Sequence, residues 1–503
     1  MLGSDLERSS TNSNQGERTP LLTSTADNYS GKADEQNVAP DESTKASFSF
    51  RRLPRKEIFM FLSIGFVNFC ACICFSLLAP FFPHEAEKKG VSKTVIGLIF
   101  SIFEFVIFLS SPVFGTFLVA IGPKFTFITG VCVCGVCAIL FGLLDQCPPG
   151  NIFIVMCFLC RSVEALGCSA FITSSFALIA NSFPDHVSTV FGTLETFSGL
   201  GLMIGPPIGG ALYELGGYGL PFWVLGTVLL FCAAISYYLM PQQAEAVKTY
   251  EGSILTLLKS PLIFVTGFCI FAGSFSLGFM DPTLADHLSP FKLSTFLVGL
   301  VFLCGAGMYG FTAPLWGWLS DTKGFVKSLV IVGNIISCVA YILMGPSPLF
   351  PFFPYELWLI IVSLLLVGIF LGCAILPTIK CLIQGAKEIG FEENLNTYGL
   401  VSGCFNSFFS LGTFIGPTVG GLMSQHYGFD WAATLAAGLL LMAGVLMFSY
   451  TSVKLCCASG QTCSSCCYGD QYQSTYMTID GKNAKNDPGT MVSQSQSVNE
   501  EEC

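Results

Sequence analysis

Gly201-Leu-Met-Ile-Gly205-Pro206-Pro207-Ile-Gly209-Gly210 recurs 211 residues further on as Gly412-Thr-Phe-Ile-Gly416-Pro417-Thr-Val-Gly420-Gly421. Both copies lie inside apolar stretches. In a membrane helix, glycines at this spacing let a neighbouring backbone come close, and the proline bends the helix. A ten-residue pattern kept twice marks a duplicated membrane unit, the usual build of a secondary transporter. Working outward, Pro80 matches Pro282, Gly97 matches Gly299, Pro112 matches Pro314, Gly115 matches Gly317 and Gly122 matches Gly324, all 202 residues apart. The offset reaches 211 only after the proline-rich stretch 345–357, which reads as a 9-residue insertion.

Composition agrees. The 503 residues are 52% hydrophobic and 11% charged, against about 25% charged in an ordinary soluble domain. The fold class expected is an all-α membrane protein of twelve transmembrane helices in two six-helix halves. Spans of about 20 apolar residues, enough to cross a bilayer, fall at 57–82, 94–118, 124–144, 152–180, 187–213, 219–240, 258–282, 295–319, 326–345, 357–383, 395–424 and 430–451. The organisation expected is a disordered cytosolic tail over 1–56, an N-terminal half over 57–240, a cytosolic linker over 241–257, a C-terminal half over 258–451 and a second disordered tail, containing cysteines, over 452–503. No signal peptide is expected, because the first long apolar run begins near Ile58. The 23 cysteines lie mostly in the spans, as small hydrophobes rather than a disulfide framework.

Basic residues orient the chain. Arg51, Arg52, Arg55 and Lys56 precede the first span, and Lys124, Lys248, Lys259, Lys323, Lys327, Lys387 and Lys454 follow even-numbered spans or lie on the same side. The opposite side holds Lys88, Lys89, Lys93 and Lys292. The positive-inside rule then places both tails in the cytosol.

Within the spans, acids stand out, because an intramembrane charge is a functional hypothesis by default. Glu104, Glu164, Glu195 and Asp281 are four such acids beside one Arg161. Arg161 and Glu164, at i and i+3, share a helix face. The pair reads either as a self-neutralising structural pair or as part of a proton pathway. A carboxylate removed from water takes a proton readily, and a cation can compete for the same negative site. These residues point to binding of small organic cations and protons.

Twelve spans in two parallel halves resemble the major facilitator superfamily. Its loop motif of Gly, an acid and basic residues appears as Gly317-Trp-Leu-Ser-Asp321-Thr-Lys323-Gly324. In the first half, Gly115-Thr-Phe-Leu-Val-Ala-Ile-Gly122-Pro-Lys124 has Val119 at the acid position. The resemblance implies that Asp321 latches helix ends together, and that the first half lacks that part of the latch. Arg161 resembles the superfamily's span-4 motif, which implies a role in proton coupling. The Gly-Pro motif resembles the signature of its proton-linked antiporters, implying gating and packing roles for Gly201, Gly205, Pro206, Gly209, Gly412, Gly416, Pro417 and Gly420. Asp281-Pro-Thr-Leu resembles span 7 of the vesicular amine transporters. Three acids of the monoamine and acetylcholine members fall here on Ala71, Gly372 and Asn406. Leu-Leu-Ala-Pro80-Phe-Phe-Pro-His-Glu85 and Leu-Glu195-Thr-Phe-Ser-Gly resemble the vesicular polyamine transporter branch. That implies proton-driven loading of spermine and spermidine into acidic vesicles, with Glu195, Asp281, Glu104, Arg161, Glu164 and Asn406 as candidate substrate or proton residues. Span 5 is expected to supply most of the binding, since Glu195 stands ten residues before Gly205 while Asn406 holds the matching place before Gly416.

The tails fit a vesicular address, in secretory or synaptic vesicles or endolysosomes. Glu17-Arg-Thr-Pro-Leu21-Leu22 resembles an acidic dileucine signal and Tyr476-Met-Thr-Ile479 a tyrosine-based one, of the kind read by clathrin adaptors. Cys456 and Cys457 are placed for palmitoylation. No metal, cofactor or nucleic-acid partner is expected, and the chain is expected to be a monomer. Two rival readings are the same exchange with monoamines or drug-like cations, and a non-transporting sensor or scaffold on a transporter fold. An enzyme is not expected, since the four histidines accompany no nucleophile or metal constellation.

Overall fold

The computed structural model describes residues 55–78, 81–240, 254–293, 295–350 and 353–458. The tail signals at Glu17, Leu21, Leu22, Tyr476 and Ile479 lie outside them. So do the side chains of Asp281 and Cys457, although their backbones belong to helices.

The first half of the chain forms α1 (Arg55–Ser76), the short α2 (Phe82–Lys88), α3 (Lys93–Ile121), α4 (Pro123–Gly142), α5 (Asn151–Ser182), α6 (Val187–Gly216) and α7 (Gly219–Leu239). After the one-turn α8 (Ile254–Leu257) come α9 (Pro261–Leu288), α10 (Thr295–Lys323), α11 (Val326–Met344), α12 (Leu357–Ile375), α13 (Thr378–Glu388), α14 (Leu395–Tyr427) and α15 (Phe429–Ala458). Among the described residues, 12 helical segments are long and apolar enough to cross a membrane. They match the hydropathy spans with two adjustments. Span 10 is split into α12 and α13, because Pro377 has no N–H to continue the ladder. α15 continues past residue 451 to Ala458, so the chain leaves the membrane still helical.

Local chemistry sets the ends. Ser92 caps α3 by accepting from the Val95 amide, and Asn394 caps α14 by accepting from the Thr397 amide. Pro123 and Pro261 open α4 and α9, where a missing N–H costs nothing. Gly122 and Gly428, at φ of 98° and 93°, stop α3 and α14 in a conformation that suits only glycine.

One apolar core joins α1 to α4, α5, α6 and α7; the larger one draws on α9 through α15. The doubled motif does in both halves what its spacing predicts. A Cβ on Gly201 would strike the α1 backbone at Phe69, and one on Gly209 would lie 2.8 Å from the Leu77 carbonyl oxygen. In the second copy, a Cβ on Gly412 or Gly416 would lie 2.6 Å from the carbonyl oxygen of Phe271 or Phe275 on α9. So α6 lies against α1 as α14 lies against α9. The last glycines, Gly210 and Gly421, have nothing within 4 Å. They belong to the repeat but not to the contact.

Candidate transport site

Two seams join the halves. On one, α6 meets α10; on the other, α14 meets α3 and α5. Both are made by small residues that bring backbones together. A Cβ on Gly115 of α3 would lie 2.5 Å from the Gly399 carbonyl oxygen, and one on Gly192 of α6 2.5 Å from that of Ala313. Ser402 donates to the Thr173 carbonyl at 2.9 Å, and Ser407 to that of Phe108 at 2.9 Å. Phe176, Phe191 and Phe405, from α5, α6 and α14, pack ring on ring at 5.4–6.3 Å.

Asp321 fastens the α6–α10 seam at the C-terminal end of α10. It is 6% exposed. Its carboxylate accepts from the Thr189 amide at 2.7 Å and from the Thr189 hydroxyl, so it caps the first turn of α6 from another helix. Lys380 of α13 pairs with its other oxygen at 2.6 Å. The latch is one-sided. Val119, at the equivalent place on α3, packs against the apolar core of the second half. The helix it would have capped, α14, is capped by its own Asn394 at 3.0 Å.

The intramembrane acids fall into three settings. Arg161 and Glu164 make a closed pair at 2.8 Å, with Arg161 1% exposed and its guanidinium carbon 4.4 Å from the centre of the Phe103 ring. Among the described residues, its Nε and Nη2 have no hydrogen-bond partner. Glu104 sits on the α3–α14 seam and accepts from the Thr413 hydroxyl at 3.1 Å. Glu195 sits on the opposite seam. It is half-buried, and Tyr309 of α10 lies beside its carboxylate across the two halves. The next residue, Thr196, donates to the Gly310 carbonyl at 2.7 Å. Asn406 of α14 donates to the Thr173 hydroxyl of α5 at 3.4 Å.

Glu104 is therefore held by a hydroxyl of the opposite half and Glu195 faces Tyr309 of the opposite half, on opposite seams, while Glu164 is taken up by Arg161. Tyr309, Thr413, Thr189 and Lys380 are the partners that sequence reading missed. Tyr309 is the one tyrosine in α10, a polar tip in an apolar span, and that signal was available. Outside the spans, His287 stacks on Phe429 at 3.8 Å between ring centres and faces the Met344 carbonyl at 3.2 Å. Burial pushes its pKa down to about 4, so it stays neutral at mildly acidic pH.

Residues 64–391, and again 263–454, match the model of the Major Facilitator Superfamily. The human MFS-type transporter SLC18B1 is 43% identical over 397 residues, covering 78% of this chain and 86% of that protein. The human synaptic vesicular amine transporter is 24% identical, covering 73% of this chain and 68% of its own. The crystal structure of the human organic anion transporter MFSD10 superposes with a TM-score of 0.64 at 17% identity, covering 78% of this chain and all of that one. That likeness speaks for the fold alone.

Proposed function

The chain belongs to the major facilitator superfamily, in the family of the SLC18B1 transporters, and we propose that this transporter exchanges protons for organic cations, polyamines first among them. The observation that carries the reading is Glu195: an acid in mid-membrane that faces Tyr309 across the seam between the halves, next to Thr196, whose hydroxyl donates to the Gly310 carbonyl of the other half. A proton or an ammonium on that carboxylate changes the charge at the contact that holds the halves together. Binding is thereby linked to the equilibrium between two arrangements of the bundle, as a ligand must be if it is to shift one. Alternating access then consists of rocking the halves about a site at the middle of the membrane.

The second acid fits a polycation. Glu104 stands on the other seam, so a chain of amines separated by methylenes meets a carboxylate toward either side of the site. The monoamine reading is weaker here, because Ala71, Gly372 and Asn406 replace the acids on which that resemblance depends. A scaffold reading leaves Glu104 and Glu195 without a purpose, since a charge at a helix centre costs roughly 2.5–3.5 kcal/mol on insertion scales. The vesicle membrane is the proposed location, with both tails cytosolic and the tail motifs as sorting signals for clathrin adaptors.

Uptake by the purified protein in proteoliposomes with an acid interior tests the proposal. Labelled spermidine should accumulate, and a protonophore should abolish accumulation. Glu195→Gln should lower uptake about tenfold or more, equivalent to roughly 1.4 kcal/mol, and Glu104→Gln should weaken spermine more than monovalent amines. Accumulation indifferent to the pH gradient, or full uptake by Glu195→Gln, contradicts it.

A further inference from the structure

Gly372 of α12 is buried, yet packing does not require a glycine there. A Cβ at this position would lie 3.4 Å from Cδ1 of Trp316 and 3.6 and 3.7 Å from Cδ2 and Cε2 of Tyr309. These are ordinary contact distances. The helix-packing glycines differ: a Cβ on Gly333 or Gly368 would run into the backbone of a neighbouring helix. What Gly372 leaves is a methyl-sized space against two aromatic rings.

That space adjoins the cation site. Tyr309 is the residue whose hydroxyl meets Glu195. Trp316 lies seven residues further along α10, on the same helix face two turns away. It is held in place by its indole N–H, which donates to the Ile369 carbonyl of α12 at 2.7 Å. Helix α10 thus carries two fixed aromatic rings between Glu195 on one side and Gly372 on the other.

We propose that Glu195, Tyr309 and Trp316, with the room left by Gly372, form a box for one alkylammonium group of the substrate. The ammonium lies against the Glu195 carboxylate, and its first methylenes lie in the space beside Gly372, against the two rings. Aromatic rings attract a cation and also pack against its methylene shoulders. Gly372 sets selectivity by leaving space for those methylenes; an acid there would add charge and remove the space. This box rests on the cation-transport reading.

The test is equilibrium binding of labelled spermidine to the purified full-length protein, beside uptake in proteoliposomes. Gly372→Ala meets no clash, and its thermal unfolding should match wild type. It should weaken spermidine binding about fivefold, a loss of roughly 1 kcal/mol, and raise KM with little change in maximal rate. N-methylated amines, being thicker at the nitrogen, should suffer more than primary ones. Tyr309→Leu should weaken binding more than Tyr309→Phe, which keeps the ring. Wild-type affinity in both Gly372→Ala and Tyr309→Leu overturns the box, and uptake by those variants would then leave the transport reading standing. Amine binding that follows the expected order in a protein without pH-driven uptake keeps the box and contradicts the transport reading.

Discussion

At the scale of single residues, the second half of the molecule latches the first through one carboxylate. Asp321 caps the buried amide end of α6 and is itself neutralised by Lys380. Asp321→Asn keeps the shape but gives up the charge toward both partners. Hydrogen bonds to a charged group contribute about 1.5–3 kcal/mol, so this end of the α6–α10 seam should open more often. Amide hydrogen exchange at the first turn of α6, near Thr189, should accelerate in Asp321→Asn while the middle of α6 keeps its protection. Unchanged exchange at Thr189 would show that the latch is not needed for closure. Asp321 was legible in sequence from its motif. Thr189 and Lys380 were not, because neither lies in a motif and both reach Asp321 only after α6, α10 and α13 have come together.

At the scale of elements, the repeated Gly-Pro motif is a packing device used twice. Its first and fifth residues meet the α1 or α9 backbone, its ninth meets Leu77 or the Phe279 side chain, and its tenth meets nothing within 4 Å. Substitutions along one motif should therefore divide sharply. Gly201→Leu and Gly412→Leu force side chains into a neighbouring helix, where overpacking typically costs about 1–3 kcal/mol, so both should lower the thermal midpoint and the yield of folded protein. Gly210→Ala and Gly421→Ala should leave both unchanged. Equal damage at the tenth position would contradict the packing described for α6 and α14. The latch shows how a duplicated element diverges. With Val119 in place of an acid, α3 can offer α14 only apolar contact, and α14 supplies its own cap from Asn394. The break at Pro377 could also have been seen in sequence, since a proline inside a long apolar run marks a gap in the helical ladder.

At the scale of the whole molecule, the spans were legible because bilayer thickness fixes their length and hydrocarbon fixes their composition. The acids were legible for the same reason, as charges where charge is expensive. The i, i+3 spacing already offered Arg161 as the partner of Glu164; what the spans alone could not give was that Glu104 is held by the Thr413 hydroxyl, and Glu195 faced by Tyr309, of the opposite half. Tyr309 was visible as the one tyrosine of α10, but which acid it and Thr413 meet appears only in three dimensions. The pairing turns a chain with several buried acids into a bundle whose two seams both carry a group able to take a proton or a cation. Binding at either seam then bears on the contact between the halves, which exchange across a membrane requires. The most direct measurement of that claim is proton release from acid-loaded proteoliposomes, followed with a trapped pH dye as spermidine is added outside. The account predicts that amine addition makes the lumen more alkaline in proportion to amine taken up, and that Glu195→Gln abolishes the signal; spermidine entry with no accompanying proton exit would contradict it.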